Sequence, residues 1–333
     1  MADSETAPLR LDPRIAAMME IAAELRDLPS PDFKARLRER LVQNRATGGK
    51  ALMSEQDIIE RLRELKTEPR MQVYDLRAAL ADLPDSTMRF LTTLNQHIVI
   101  VSRGSRPSHW ERHWGGDEML YAIDGAADVE LLTPRGRAVR TLEAGSLFIC
   151  PEGIWHRIVT RPSLEALYIT PEGTDSSAAK DPRRSAAPES KQRPRRTRTN
   201  AQMLVHPLRA MLPELKELAI TDETTGEEAD AAVRTITDLN QLSLGMMRYS
   251  GQTPWERHGA DELLLPLEGE VDLTVRTERG REYRTLRAGE VFVCPQGLWH
   301  RQFAKRAVAI LYGTEVKTSQ VSFAEDPLSE ARS

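Results

Sequence analysis

The chain contains the same long stretch twice. WERHWGGDEMLYAIDG at 110–125 returns as WERHGADELLLPLEG at 255–269, and RTLEAGSLFICPEGIWHR at 140–157 returns 144 residues later as RTLRAGEVFVCPQGLWHR at 284–301. Two long matches in the same order mark a duplicated structural unit. Runs such as IVIV, ADVELL and SLFIC, separated by Gly, Pro or charged turns, make that unit a β domain. A chain of 333 residues has room for two such domains and a further segment.

The further segment lies in front. Ile15, Met18, Met19, Ala22 and Leu25 recur at helical spacing, and Ser30-Pro31 starts a second stripe of Phe33, Leu37 and Leu41. Ser54 and Asp57 cap a third, with Ile58, Ile59, Leu62 and Leu65. Helices this short need a surface to cover, so residues 1–70 read as a helical extension that packs on the main body or on a second subunit. Residues 176–200 hold eight basic and two acidic side chains and almost no large apolar group, the composition of a linker. The expected order is therefore a helical extension at 1–70, a first β domain at 75–170, a linker at 176–200, a second β domain at 207–318 and a tail at 319–333.

Composition removes several function classes. With 46 basic and 50 acidic residues the formal charge is -4, which lacks the positive field of a dedicated nucleic-acid binder. No apolar run is long enough to span a bilayer, which argues against a membrane role. Two cysteines, Cys150 and Cys294, cannot build a disulfide scaffold and read as small buried side chains. The opening MADSETAPLRLDP has no basic region followed by an apolar signal core, so the expected location is the cytoplasm.

The chemistry sits inside the repeats. Alternate side chains of a strand share a face, so Glu111 points with His113 while Trp110 and Arg112 point away, and Glu256 and His258 repeat the pattern. Glycine turns then bring in Glu118 and Glu262, and the turns Pro151–Gly153 and Pro295–Gly297 precede His156 and His300. Each repeat thus supplies Glu, His, Glu and His: Glu111, His113, Glu118 and His156, then Glu256, His258, Glu262 and His300. Imidazole with carboxylate suits Fe(II), Mn(II), Zn(II) or Ni(II). Two carboxylates neutralise a divalent cation and leave about two positions open for substrate, water or dioxygen; if Glu111 or Glu256 stands back, a two-His, one-carboxylate site with three open positions results.

Each β domain resembles a cupin. The family pattern of Gly, five residues, Pro, one residue, Gly, two residues and His runs without a gap from Gly145 to His156 and from Gly289 to His300, and Glu118–Gly125 and Glu262–Gly269 keep the family spacing. The resemblance implies two double-stranded β-helix, or jelly-roll, barrels in a mainly β chain. It covers about 75–170 and 207–318. The departure is Glu111 and Glu256, where the common cupin pattern has histidine. Cupins include dioxygenases, decarboxylases, isomerases, lyases, storage proteins and sensors.

The reading that follows is a nonheme Fe(II)-dependent dioxygenase of a small oxygenated aromatic or organic acid, with dioxygen as co-substrate and a homo-oligomer as an open possibility. Glu111, His113, Glu118 and His156 form the preferred catalytic centre, because Tyr121 and Trp114 offer the first half more aromatic and hydroxyl chemistry than Leu265 and Gly259 offer the second. Alternatives are a Mn(II)-, Zn(II)- or Ni(II)-dependent lyase, isomerase or decarboxylase, and a metal-bound small-molecule sensor. Tyr121 is odd-spaced from Glu118 and can equally face a barrel surface or a contact. Trp110, Trp155, Trp255 and Trp299, with Arg112, Arg157, Arg257 and Arg301, read as packing on the strand face opposite the ligands. His97 lies beside a β-rich run, His109 reads as a loop histidine, and His206 carries no signal.

Overall fold

The computed structural model describes residues 71–171, 173–184, 203–315 and 317–328. The expected helical extension at 1–70, most of the linker and the last residues of the tail lie outside them. Among the described residues no helix is long and apolar enough to cross a membrane.

The strands are β1 (Tyr74–Asp75), β2 (Thr87–Leu94), β3 (His97–Gly104), β4 (Trp110–His113), β5 (Glu118–Thr133), β6 (Gly136–Glu143), β7 (Leu147–Cys150), β8 (Trp155–Pro171), β9 (Thr174–Ser177) and β10 (Val205–His206). The second half adds β11 (Glu217–Ile220), β12 (Arg234–Leu239), β13 (Leu242–Gln252), β14 (Trp255–Arg257), β15 (Glu262–Glu268), β16 (Glu270–Thr277), β17 (Gly280–Arg287), β18 (Glu290–Cys294), β19 (Trp299–Thr314) and β20 (Gln320–Ser322). Three short helices connect them: α1 (Leu76–Ala81), α2 (Leu208–Met211) and α3 (Gly226–Ala232). α3 starts at a full capping box, in which Thr225 and Glu228 satisfy each other's backbone N–H groups.

The chain folds as two jelly-roll barrels of matching topology. The first sheet runs β10-β7-β5-β8-β3-β2 and the second β1-β18-β15-β19-β13-β11, with the remaining strands pairing alongside. β5 and β8 are long enough to serve both walls of the first barrel, and their ladder shifts register near Gly125. Gly125 has φ +76, and a Cβ there would lie 2.2 Å from the Ser163 carbonyl oxygen, so only glycine lets the strands approach at the bend.

Runs such as EMLYAI and ELLLPL have no polar face because both faces are covered. Leu120 and Ala122 point into the first barrel with Val129, Leu131 and Phe148. Met119 and Tyr121 point the other way, onto a core shared by the two barrels that contains Val99, Leu167 and Ile169 of the first and Leu244, Leu263 and Leu311 of the second.

Short segments are exchanged between the barrels. β1, which precedes the first barrel, pairs with β18 of the second, and β10, which precedes the second, pairs with β7 of the first. The junctions repeat one another: Leu76 N–H donates to Gly289 O at 3.1 Å and Arg209 N–H to Gly145 O at 3.0 Å. Two further strands lie at the edges of the expected boundaries. β9 enters the stretch read as linker, and β20 belongs to the stretch read as tail, yet they pair with the ligand strands β4 and β14. Sequences such as TDSS and QVS carry too little apolar alternation to announce a strand.

Candidate metal centre

Strand pairing assembles the two sites. Glu111 stands opposite His156 across β4 and β8, and Glu256 opposite His300 across β14 and β19. Glu118 and Glu262 open β5 and β15, opposite Cys150 and Cys294. The period of two that places Leu120 in the barrel interior places Glu118 there as well.

In the second barrel Glu256, His258, Glu262 and His300 each offer a donor atom, all within 4.8 Å of one another. In the first, Glu111, His113 and His156 do the same. Glu118 is beside them, with Oε1 3.4 Å from His113 Nε2 and Oε2 3.0 Å from His156 Nε2, and Thr170 Oγ1 donates to its Oε1 at 2.6 Å. Glu262 lies 3.5 Å from His258 Nε2 and 2.7 Å from His300 Nε2. The imidazole centroids are 5.2 Å apart in the first site and 5.3 Å in the second.

The imidazoles are oriented from behind. His156 and His300 donate Nδ1–H to the carbonyls of Ile154 and Leu298, while His113 and His258 bond through Nδ1 to Thr174 of β9 and to Ser319 beside β20. Outer bonding at Nδ1 turns Nε2 inward, the orientation in which histidine ligates a metal. Nε2 of His113, His258 and His300 and Oε2 of Glu262 are buried and meet only one another or the neighbouring carboxylates, with no well-aligned hydrogen bond. Three of these side chains, His258, Glu262 and His300, converge in the second site, and buried polar atoms left this way fit a divalent cation.

The electrostatics follow from burial and crowding. Burial, aided by the neighbouring Glu118 charge, pushes the Glu111 carboxyl above its usual range, and burial with the Glu262 charge pushes Glu256 up to about 7. Burial also works against ionised Glu118, but His113 and His156 outweigh it and hold that carboxyl well below the usual range. For His156 and His300 burial favours the neutral ring, yet the adjacent cysteine and glutamate raise both well above the ordinary value. Burial pushes the Cys150 and Cys294 thiols up, which makes them poor nucleophiles.

The aromatic surplus that favoured the first half is not at its centre. Tyr121 packs on the shared core between the barrels. Trp114 donates Nε1–H to Asp175 and stacks under Arg112. The tryptophan and arginine pairs lie on the opposite strand face, with Arg157 4.8 Å from the Trp110 ring and Arg301 4.6 Å from that of Trp255. His109 is exposed, whereas His97 is buried and accepts from Asn240 Nδ2 at Nε2, 2.9 Å.

Several residues around the sites carried no sequence expectation: Thr170, Thr174 and Ser319, and the pairs Asp117 with Asn240 and Asp261 with Asn95. A third repeat, Leu94-Asn95-Gln96 and Leu239-Asn240-Gln241, is the signal that points to the asparagines.

The cupin family profile matches residues 222–329. A germin-like protein, subfamily 2 member 4 of Arabidopsis thaliana, is 35% identical over 91 residues, which is 25% of this chain and 41% of the relative's length. The chain thus spans under half of that relative. Among solved structures the fold is similar to a cupin 2 conserved barrel domain protein from Leptotrichia buccalis, at 10% identity, 75% of this chain, 98% of the other and a TM-score of 0.48. It is also similar to oxalate decarboxylase from Bacillus subtilis, at 13% identity, 80% and 82% coverage and a TM-score of 0.46. The cupin profile thus covers the second repeat, residues 222–329, and the first repeat has the same strand order and the same ligand spacing.

Proposed function

We propose that the protein is a nonheme Fe(II)-dependent dioxygenase of a small oxygenated aromatic or organic acid, with Glu111, His113 and His156 holding the metal of the catalytic centre and Glu118 beside them. The observation that carries this reading is the gathering of two imidazoles and one carboxylate within 4.8 Å, the donor set of nonheme iron oxygenases. When bound there, Fe(II) would supply the redox chemistry with dioxygen that the side chains themselves lack.

The chain's own residues do the rest. Thr174 and the Ile154 carbonyl keep the imidazoles facing inward. Thr170 donates to one oxygen of Glu118 and so restrains that carboxylate, leaving its other oxygen facing the centre. Leu120, Leu131, Phe148 and Ile158 form the packed apolar core behind the Glu and His side chains, which keeps water from that side of the centre. Tyr168 packs against that core, its hydroxyl kept protonated by burial and by the Glu118 charge. No lysine or arginine is buried among the described residues. A substrate bearing several negative charges would therefore lack partners inside the barrel, which favours one with a single acid or phenol group.

A second reading, a non-redox decarboxylase, lyase or isomerase, is favoured by the second barrel, where four donors converge and leave fewer open positions. Oxygen uptake separates the two. Protein isolated anaerobically and loaded with Fe(II) should consume dioxygen in a screen of phenolic and keto acids, and the Zn(II)-loaded form should not. Anaerobic turnover by the Zn(II) form would replace the first reading with the second.

A further inference from the structure

We infer that Asn240 and Asn95 are positioning residues, each for the metal centre of the opposite barrel. The inference rests on the metal-centre reading of the two Glu/His sets. Asn240 is at the tip of the β12–β13 hairpin of the second barrel and Asn95 at the equivalent β2–β3 tip of the first; both have φ +56, a left-handed conformation that asparagine tolerates.

Asn240 reaches the residue that precedes Glu118. Its Oδ1 accepts the Asp117 N–H at 2.8 Å, and its Nδ2 donates to the Asp117 carbonyl at 3.2 Å. Asp117 is itself buried, and its Oδ1 accepts the N–H of Glu152, in the turn that leads into His156, at 2.9 Å. The next residue of that turn, Gly153, donates its N–H to the His113 carbonyl at 2.8 Å. One hairpin tip of the second barrel therefore braces the backbone beside three of the first barrel's ligands.

The reverse arrangement repeats this. Asn95 Oδ1 accepts the Asp261 N–H at 2.9 Å, and the Asn95 N–H donates to Asp261 Oδ2 at 2.6 Å. Asp261 Oδ1 accepts the Gln296 N–H at 2.9 Å, and Gly297 donates to the His258 carbonyl at 3.0 Å. Gly116 shows how closely the first brace is fitted: a Cβ there would be 2.4 Å from Asn240 Oδ1. Ligands bind a metal well only when their supports hold them to within about 0.5 Å, so a brace on the ligand-bearing turns acts on affinity.

The test uses Mn(II) as the probe in the full chain. His300→Ala leaves the first centre alone to be titrated, and His156→Ala leaves the second, with free Mn(II) read by electron paramagnetic resonance. Asn→Gly keeps the left-handed backbone and removes only the amide. In the His300→Ala background, Asn240→Gly should weaken Mn(II) binding about three- to ten-fold while Asn95→Gly changes it less than about two-fold. In the His156→Ala background the two effects should exchange. Asn240→Asp, which keeps the acceptor for Asp117, should recover most of the loss, and Gly116→Ala should imitate Asn240→Gly at the first centre.

One-to-one binding that is unaffected by either asparagine, or weakened only by the asparagine of the same barrel, would overturn the inference and leave the metal centres standing. Failure of both single-site backgrounds to bind Mn(II), while the unmutated chain also fails, would overturn the metal reading and this inference together.

Discussion

A glutamate where cupins commonly place histidine changes the charge of the centre. Two carboxylates and two imidazoles neutralise a divalent ion, so each glutamate matters both as a donor and as a counter-charge. Glu111 belongs to the three-donor group of the first barrel, whereas Glu256 joins three other donors in the second. Glu111→Ala should therefore lower turnover at least about ten-fold, with a smaller effect for Glu256→Ala. Steady-state oxygen uptake by the two Fe(II)-loaded variants tests this, and equal activity in both and in the unmutated chain would show that neither carboxylate is required. Cys150 and Cys294, buried beside the same histidines, pack rather than react.

The β2–β3 hairpin carries a second consequence through His97. Burial lowers this imidazole to about 4, with the Leu94 carbonyl opposing the shift and the His113 charge adding to it. The neutral ring is the form that accepts from the Asn240 amide. A folded value below the unfolded 6.5 means that the unfolded chain binds the extra proton first. The stabilisation is thus complete above pH 6.5 and is lost as pH falls from there towards 4, by up to about 3 kcal/mol. The equivalent position in the repeat is Leu242, so His97→Leu is a substitution the fold already accommodates. Urea unfolding at pH 7.5 and 5 should show a smaller loss of stability in His97→Leu than in the unmutated chain; identical pH slopes would exclude His97 as the source.

The two barrels share a core and exchange strands, so neither half owns all of its contacts. β1 closes the edge of the second barrel and β10 that of the first. The shared core draws Leu76, Leu80 and Leu147 together with Leu244, Leu263 and Leu311. Unfolding one barrel would expose the inner face of the other, which predicts a single cooperative transition. Leu244→Ala, at a fully buried position, should cost about 2–5 kcal/mol and lower that one transition without splitting it. Differential scanning calorimetry decides: two separated peaks would mean that the barrels unfold independently.

The duplicated β architecture is legible in the chain alone, and so is the choice of eight candidate ligands, because both are written locally. A period of two sets which side chains share a strand face, and the Gly, Pro, Gly, His turn sets where the strands begin and end. The same alternation put the tryptophans and arginines on the outer face. It left Tyr121 open, since a strand covered on both sides has no solvent face to choose. Folding in three dimensions is what brings Tyr121 to the other barrel, Thr170 to Glu118, and Thr174 of β9 and Ser319 beside β20 behind His113 and His258. It alone joined Asn240 to Asp117 and Asn95 to Asp261, 123 and 166 residues apart. Such partners meet because two curved sheets pack face to face, and the spacing of residues along one strand holds no record of what the opposing sheet presents.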